Sequence, residues 1–361
     1  MEKRVVYPLG IFCMLAMVGY LLVIYRVPDF RVTSLAREAV LRQGDISSQS
    51  VLALLHPTDP YSVLTDADGQ TVHHVRLEIP PEVRPNEIRY SSDYHTRNVI
   101  ITIPGIGESY FYDYPMIGIS DNIVDLTYGS ESGVGVIEIT LDGIYEFRYT
   151  QEDNYIYLDF LDPHDVYDYV WVIDAGHGGY DVGANQEESE IYEKDLTLAI
   201  VEKLKAICDK SDENIGVYYT RLDDSDVDLD ERVEMANSIK ADLFLSVHIN
   251  STSSGRMSGI HGTSVMYLVS DPSGRSLAFA ENVLNRLLKE LGSLSKGTIA
   301  GDEIYIIRKS EVPVALAEIG FITNWEELEL MQSDEYQQKA AQAMYDAMME
   351  TSATFAAQDR E

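Results

Sequence analysis

Four ionisable side chains stand where apolar runs end or helical patterns begin. They are His177 in the stretch VIDAGHGG, Glu193 heading EKDLTLAIVEKLKAIC, His248 closing LFLSVH and Glu318 closing VALAE. Two histidines and a carboxylate are a common ligand set for a catalytic zinc, with a fourth position left to water, and a spare carboxylate nearby can move protons. These residues are dispersed along the chain, not paired on one helix. A histidine ending a strand also serves as a hydrogen-bonded structural residue, so spacing alone leaves both readings open. The metal gains ground because all four fall at element ends that a single sheet would gather, the place where ligands bind in α/β folds. Asp174 could orient His177 from behind, or cap the loop. The glycines also invite phosphate, but Asp181 stands where a dinucleotide fingerprint needs its third glycine. Ala184 and Asn185 stand where a P-loop needs Lys and Ser/Thr, which speaks against a phosphate site.

The elements that must position these residues follow from periodicity. YVWVIDA, IGVYYTR, ADLFLSVHI, GIHGTSVMYLV, EIYIIRK and PVALAEIGF read as strands. Between them lie helical patterns, among them Leu196, Ile200, Leu204 and Ile207, and a final helix opening at a Ser/Asp start. Strands interleaved with helices predict an α/β layered domain over 168–352, with a largely parallel sheet flanked by helices. A tail is expected at 353–361. Upstream, 67–165 carries seven short runs rich in Val, Ile and Tyr, punctuated by Gly, Pro, Asn or Asp, which predict an all-β sandwich-like domain. The chain holds 24 tyrosines, dense in this region. They fit packing on a sheet, which favours Tyr, better than a polar-aromatic binding face.

Residues 5–25 form an uncharged run long enough to cross a bilayer and longer than a signal-peptide core. They predict an N-terminal transmembrane helix within a 1–31 membrane anchor, followed by a 32–66 linker, with the bulk of the chain exported. Secretion after signal cleavage is the other option. The net charge of -33 disfavours nucleic acid and anionic lipid as partners. Cys13 and Cys208 are too far apart in this scheme to pair, and two cysteines do not make a cysteine zinc site.

Six stretches carry a resemblance in order: VIDAGHGGYDVGA, EKDLTLAI, YTRLDD, LDERVEMAN, ADLFLSVHINS and VPVALAEIGFITN. Together they resemble the zinc-dependent N-acetylmuramoyl-L-alanine amidases of the Amidase_3 type, across 170 to about 350. The resemblance implies Zn2+ held by His177, Glu193 and His248, with Glu318 as the catalytic acid/base. It implies peptidoglycan as substrate, cut between the lactoyl group of muramic acid and L-alanine, in wall remodelling or daughter-cell separation. Ala175 and Ile249 depart from the residues frequent at those positions, but neither is a ligand position. The 67–165 segment resembles, by pattern, the AMIN-like domains that accompany such amidases. Asn250 and Arg308 are candidates to hold substrate, and His261 is read as structural because the ligand set is already complete. A wall-binding pseudoenzyme or activator, and a zinc peptidase or deacetylase, stand beside the amidase reading. The resemblance implies no particular protein activator.

Overall fold

The structure, a computed structural model, describes Leu64 and residues 73–114, 116–118, 121–185 and 190–360. The expected 1–31 anchor and, apart from Leu64, the 32–66 linker lie outside the described residues. Among the described residues no helix is long and apolar enough to cross a membrane. The chain divides into two compact units between Leu161 and Asp162.

Among the described residues the first unit has eight strands. They are β1 (Val75–Glu78), β2 (Arg89–Asp93), β3 (Asn98–Pro104), β4 (Ile117–Gly118), β5 (Ile123–Glu131), β6 (Val134–Leu141), β7 (Glu146–Glu152) and β8 (Tyr155–Leu161), with a one-turn helix α1 (Tyr110–Asp113) before β4. They pair as two antiparallel sheets, β4-β1-β8-β7 and β2-β3-β6-β5. The period-two pattern of β3 and β6 turns Val99, Ile101, Ile103, Ile137 and Ile139 inward, where they join Leu77, Ile156, Leu158 and Phe160 of the other sheet in one core. The sequence runs locate seven of the strands; β4, at two residues, is too short to leave a pattern. Tyr110 and Tyr128 are buried in this core, whereas Tyr149 is half exposed and stacks on Tyr90 at 3.7 Å.

The second unit opens with a short helix α2 (Pro163–Val166), capped by the Asp162 side chain. There follow β9 (Tyr169–Ala175), α3 (Glu193–Cys208), β10 (Ile215–Tyr219), α4 (Leu229–Ser238), β11 (Leu243–Asn250), β12 (Thr263–Tyr267), α5 (Arg275–Leu291), β13 (Ser295–Ala300), α6 (Tyr305–Lys309), β14 (Val314–Phe321), α7 (Trp325–Met331) and α8 (Asp334–Gln358). The six strands lie in the order β10-β9-β11-β14-β12-β13. Every pairing is parallel except β12 with β14, so the sheet is mixed. No helix stands between β11 and β12. The chain turns back through 251–262, and the reversed strand follows from that. Trp171, Ile173 and Ala175 of β9 share a core with Leu196, Ile200 and Leu204 of α3, Phe279 and Val283 of α5, and Ala340 and Met344 of α8. The alternate residues Val172, Phe244 and Leu316 are also buried, as expected for strands covered on both faces.

Two expectations are corrected. EIYIIRK is not a strand but the five-residue helix α6, since a short β-branched run reads the same in both states. The outer strand is instead β13, whose sequence SKGTIA is mostly exposed and shows no alternation. Residues 353–358 are not a tail: α8 continues to Gln358 with Phe355 buried, its ring under the Arg275 guanidinium, which also pairs with Asp359. Met348, Thr351 and Phe355 extend the buried stripe of the helix at spacings of three and four. Trp171 Nε1 further ties the central sheet to this end, donating to Ser352 Oγ at 2.9 Å in the core. Phe355→Ala is therefore expected to lower the stability of the second unit by about 3 kcal/mol, read as a reduced urea midpoint, whereas a loose tail would leave it unmoved.

Candidate metal centre

Sheet register brings the chemistry together. β9 runs into the glycine loop and delivers His177, and β11 carries His248 near its end, in register beside Glu318 of β14. Glu193 is the first residue of α3, where the helix N-terminus favours a negative charge. His177, Glu193 and His248 each offer a ligand atom, and these atoms lie within 4.8 Å of one another. Glu193 sits between the rings: its Oε2 is 3.1 Å from His177 Nε2 and its Oε1 is 2.9 Å from His248 Nδ1. The backbone N–H of Ala184 donates to Oε2 at 2.7 Å and that of Ile249 to Oε1 at 2.9 Å. Ile249 lies at a register irregularity between His248 and Asn250, which turns its N–H toward the carboxylate.

Two glycines are required by this closeness. A Cβ on Gly176 would lie 2.5 Å from the His248 ring. Gly183 has a φ of +66°, and a Cβ there would lie 2.6 Å from both Glu193 Oε2 and the His177 ring. His177 itself adopts a φ of +63°, unusual for a residue with a side chain. Its Nδ1–H donates to Asp181 Oδ2 at 2.7 Å, and because a carboxylate only accepts, Nε2 is the nitrogen left for a metal.

The electrostatics follow from the geometry. Burial opposes charge on His177, but the hydrogen bond and charge of Glu193, and then of Asp181, outweigh it and raise its pKa to about 9. Burial opposes charge on Glu193 as well, yet the two histidines hold it well below the usual carboxylate range. Glu318 moves the other way. Burial, with a further push from Glu193 against the pull of His248, lifts it to about 7. Glu318 Oε2 is sealed from solvent and has no hydrogen-bond partner, though the residue as a whole is partly open. It faces a cleft of about 360 Å³ that also holds His177, Glu193, His248 and Asn250, walled by Leu229, Met266, Ile304 and Ile306. A larger cavity of about 750 Å³, between 268–275, 310–313 and the end of α8, contains none of these residues.

The remaining sequence candidates fall out differently. Asp174 is fully buried but does not touch the His177 ring. It accepts from Thr220, Ser246 and Arg232, and Arg232 reaches the His177 carbonyl. Arg308 is exposed, bonded to the carbonyls of Asp302 and Glu303, and does not line the cleft. His261 lies before β12 rather than on it, with Nδ1 against its neighbour's carbonyl, Gly259 O. Sequence reasoning gave no role to Asp181, whose signal was its place four residues after His177. It also gave none to Arg221 and Arg232, since a buried arginine looks like a surface one in a sequence.

The donor set fits zinc: two imidazoles and a carboxylate, with an unpartnered carboxyl alongside. The raised pKa of Glu318 has a stability consequence. Its folded value lies above the ordinary 4.5, so its contribution is intact below pH 4.5 and is lost as pH rises toward 7. In metal-free protein, Glu318→Gln is expected to match the parent at pH 4 and to be more stable by roughly 2 kcal/mol at pH 8, after a discount for the open cleft. Denaturant titrations with EDTA at the two pH values check it; equal stabilities at pH 8 would contradict the buried, strained charge.

Residues 172–350 match the family described as N-acetylmuramoyl-L-alanine amidase. The chain is 39% identical over 174 residues to the uncharacterized protein YqiI of Bacillus subtilis, spanning 48% of this chain and 79% of that protein. It is 33% identical over 174 residues to the N-acetylmuramoyl-L-alanine amidase LytC of the same organism, spanning 48% of this chain but only 34% of LytC. Among solved structures, the N-acetylmuramoyl-L-alanine amidase AmiC2 of Nostoc punctiforme is 33% identical, with a TM-score of 0.46 over 51% of this chain and 96% of that one. By its second unit, the chain belongs to the N-acetylmuramoyl-L-alanine amidase family.

Proposed function

We propose that the chain is a zinc-dependent peptidoglycan hydrolase that cuts the amide between N-acetylmuramoyl groups and the L-alanine of the stem peptide. The observation that carries this is the convergence of His177, Glu193 and His248 on one point, with the unpartnered carboxyl of Glu318 in the same cleft. His177 Nε2, a Glu193 oxygen and His248 Nδ1 would hold the ion. Zinc, when bound, supplies a Lewis acid that polarises the scissile carbonyl and lowers the pKa of water.

The chain's own groups do the rest. Glu318, with a pKa near 7, takes a proton from the attacking water and returns it to the departing alanine nitrogen, and a value near neutrality suits both transfers. Asp181 keeps the His177 ring in one tautomer. Asn250 lines the cleft and offers an amide to the substrate, while Leu229, Met266, Ile304 and Ile306 give it a dry wall.

The run 5–25 supports a single-pass anchor with the enzyme on the wall side, and the β-rich first unit is proposed to direct it to wall polymer, in wall remodelling or daughter-cell separation.

Mass spectrometry of peptidoglycan treated with the full-length chain and zinc tests the activity. The expected products are stem peptides with a free N-terminal alanine and glycan that keeps its lactoyl groups. Cut sugars, cut cross-links or lost acetyl groups would assign the chain to another hydrolase class. Glu318→Ala is expected to keep zinc and to lose about 10²- to 10⁴-fold in turnover, and His177→Ala to lose both metal and activity.

A further inference from the structure

The glycine loop is gripped from below by buried cations. Arg221 and Arg232 are 1% and 3% exposed. Arg221 donates from Nε to Ala175 O at 2.9 Å, and from one terminal nitrogen to Gly176 O at 2.8 Å and Lys194 O at 3.0 Å. Arg232 donates to Ala175 O at 2.8 Å and, from its other terminal nitrogen, to His177 O at 2.7 Å. The buried Asp174 carboxylate fixes the Arg232 fork at 2.5 Å, and is itself held by Thr220 and Ser246 at 2.6 Å each. At the loop's far side, Lys194 Nζ caps Gly179 O at 2.9 Å. The carbonyls of Ala175, Gly176 and His177 are therefore all held by guanidinium groups.

Two buried guanidinium groups, of which only Arg232 pairs with a carboxylate, are a poor means of stabilising a core, because well-packed apolar residues do as well. The fork geometry of arginine suits a different task, since it can hold two acceptors in fixed relative positions. Here Arg221 holds the carbonyls of Ala175 and Gly176, and Arg232 those of Ala175 and His177, flanking and including a residue in the left-handed region, a conformation that persists only when its surroundings impose it.

We propose that Arg232, braced by Asp174, and Arg221 are positioning residues that lock the backbone of the glycine loop so that His177 is presented for metal before any metal arrives. This rests on the reading of His177 as a zinc ligand. On this view Asp174 acts on the site through Arg232, and the ligand loop is preformed instead of being organised by the ion.

Two measurements on the full-length chain test it. First, hydrogen exchange of the parent protein with EDTA and with zinc: the amides of Gly176, Gly178 and Gly179 are expected to be protected to a similar degree in both. Second, Arg232→Lys, shown to be folded by circular dichroism, is compared with the parent in zinc affinity by chelator competition and in the visible spectrum of its cobalt(II) form. Lysine keeps the charge but not the fork, so affinity is expected to fall about 10- to 100-fold with a changed cobalt spectrum. Parent-like affinity and spectrum in Arg232→Lys would overturn the proposal. So would a loop that exchanges freely until zinc is added, a result that needs no variant and stands even if Arg232→Lys does not fold. A parent chain that takes up no zinc would remove the metal reading itself, and this inference with it.

Discussion

A single carboxylate organises the catalytic unit. Glu193 is a buried anion at the start of a helix, wedged between two imidazoles and bonded by two main-chain N–H groups from different elements. An anion there needs every one of those partners, because a buried charge short of them would be neutralised or expelled. The glycine loop, the start of α3 and the end of β11 are thereby bound to one point. The absence of side chains at Gly176 and Gly183 follows from the same crowding.

Glu318 is the counterpart of this arrangement. It lies one strand over, level with His248, yet receives no hydrogen bond on its inner oxygen. The two carboxyls share one cleft and differ in what surrounds them. Partners hold Glu193 charged, whereas burial without partners holds Glu318 near the point of protonation. Two acids pushed apart in this way can divide labour between holding an ion and moving a proton.

Much of this was legible in the sequence for a physical reason. Residues at or just past the C-terminal part of strands in one sheet gather at its edge, so His177, His248 and Glu318 could be grouped before any coordinates. Buried strands such as YVWVIDA and ADLFLSVHI announce themselves by length and β-branched content. What escaped were features decided by partners distant in the chain. The β13 edge strand has no apolar pattern of its own, and α6 is too short for periodicity to separate helix from strand. Arg221 and Arg232 are buried only because main-chain carbonyls wait for them, and those carbonyls carry no sequence signature. Asp174 was noticed for its position, but its action through Arg232 could be seen only in three dimensions.

The placement of His248 and Glu318 on strands and of part of the cleft wall at helix starts separates two kinds of change. His248 and Glu318 are spaced by hydrogen-bond register, which shifts only in whole residues and would turn every side chain to the other face. Leu229 and Ile304, by contrast, stand at the beginnings of α4 and α6 and can be exchanged without disturbing a ladder. A lineage carrying this fold can therefore reshape the cleft by altering its wall, while His248 and Glu318 stay where the sheet put them.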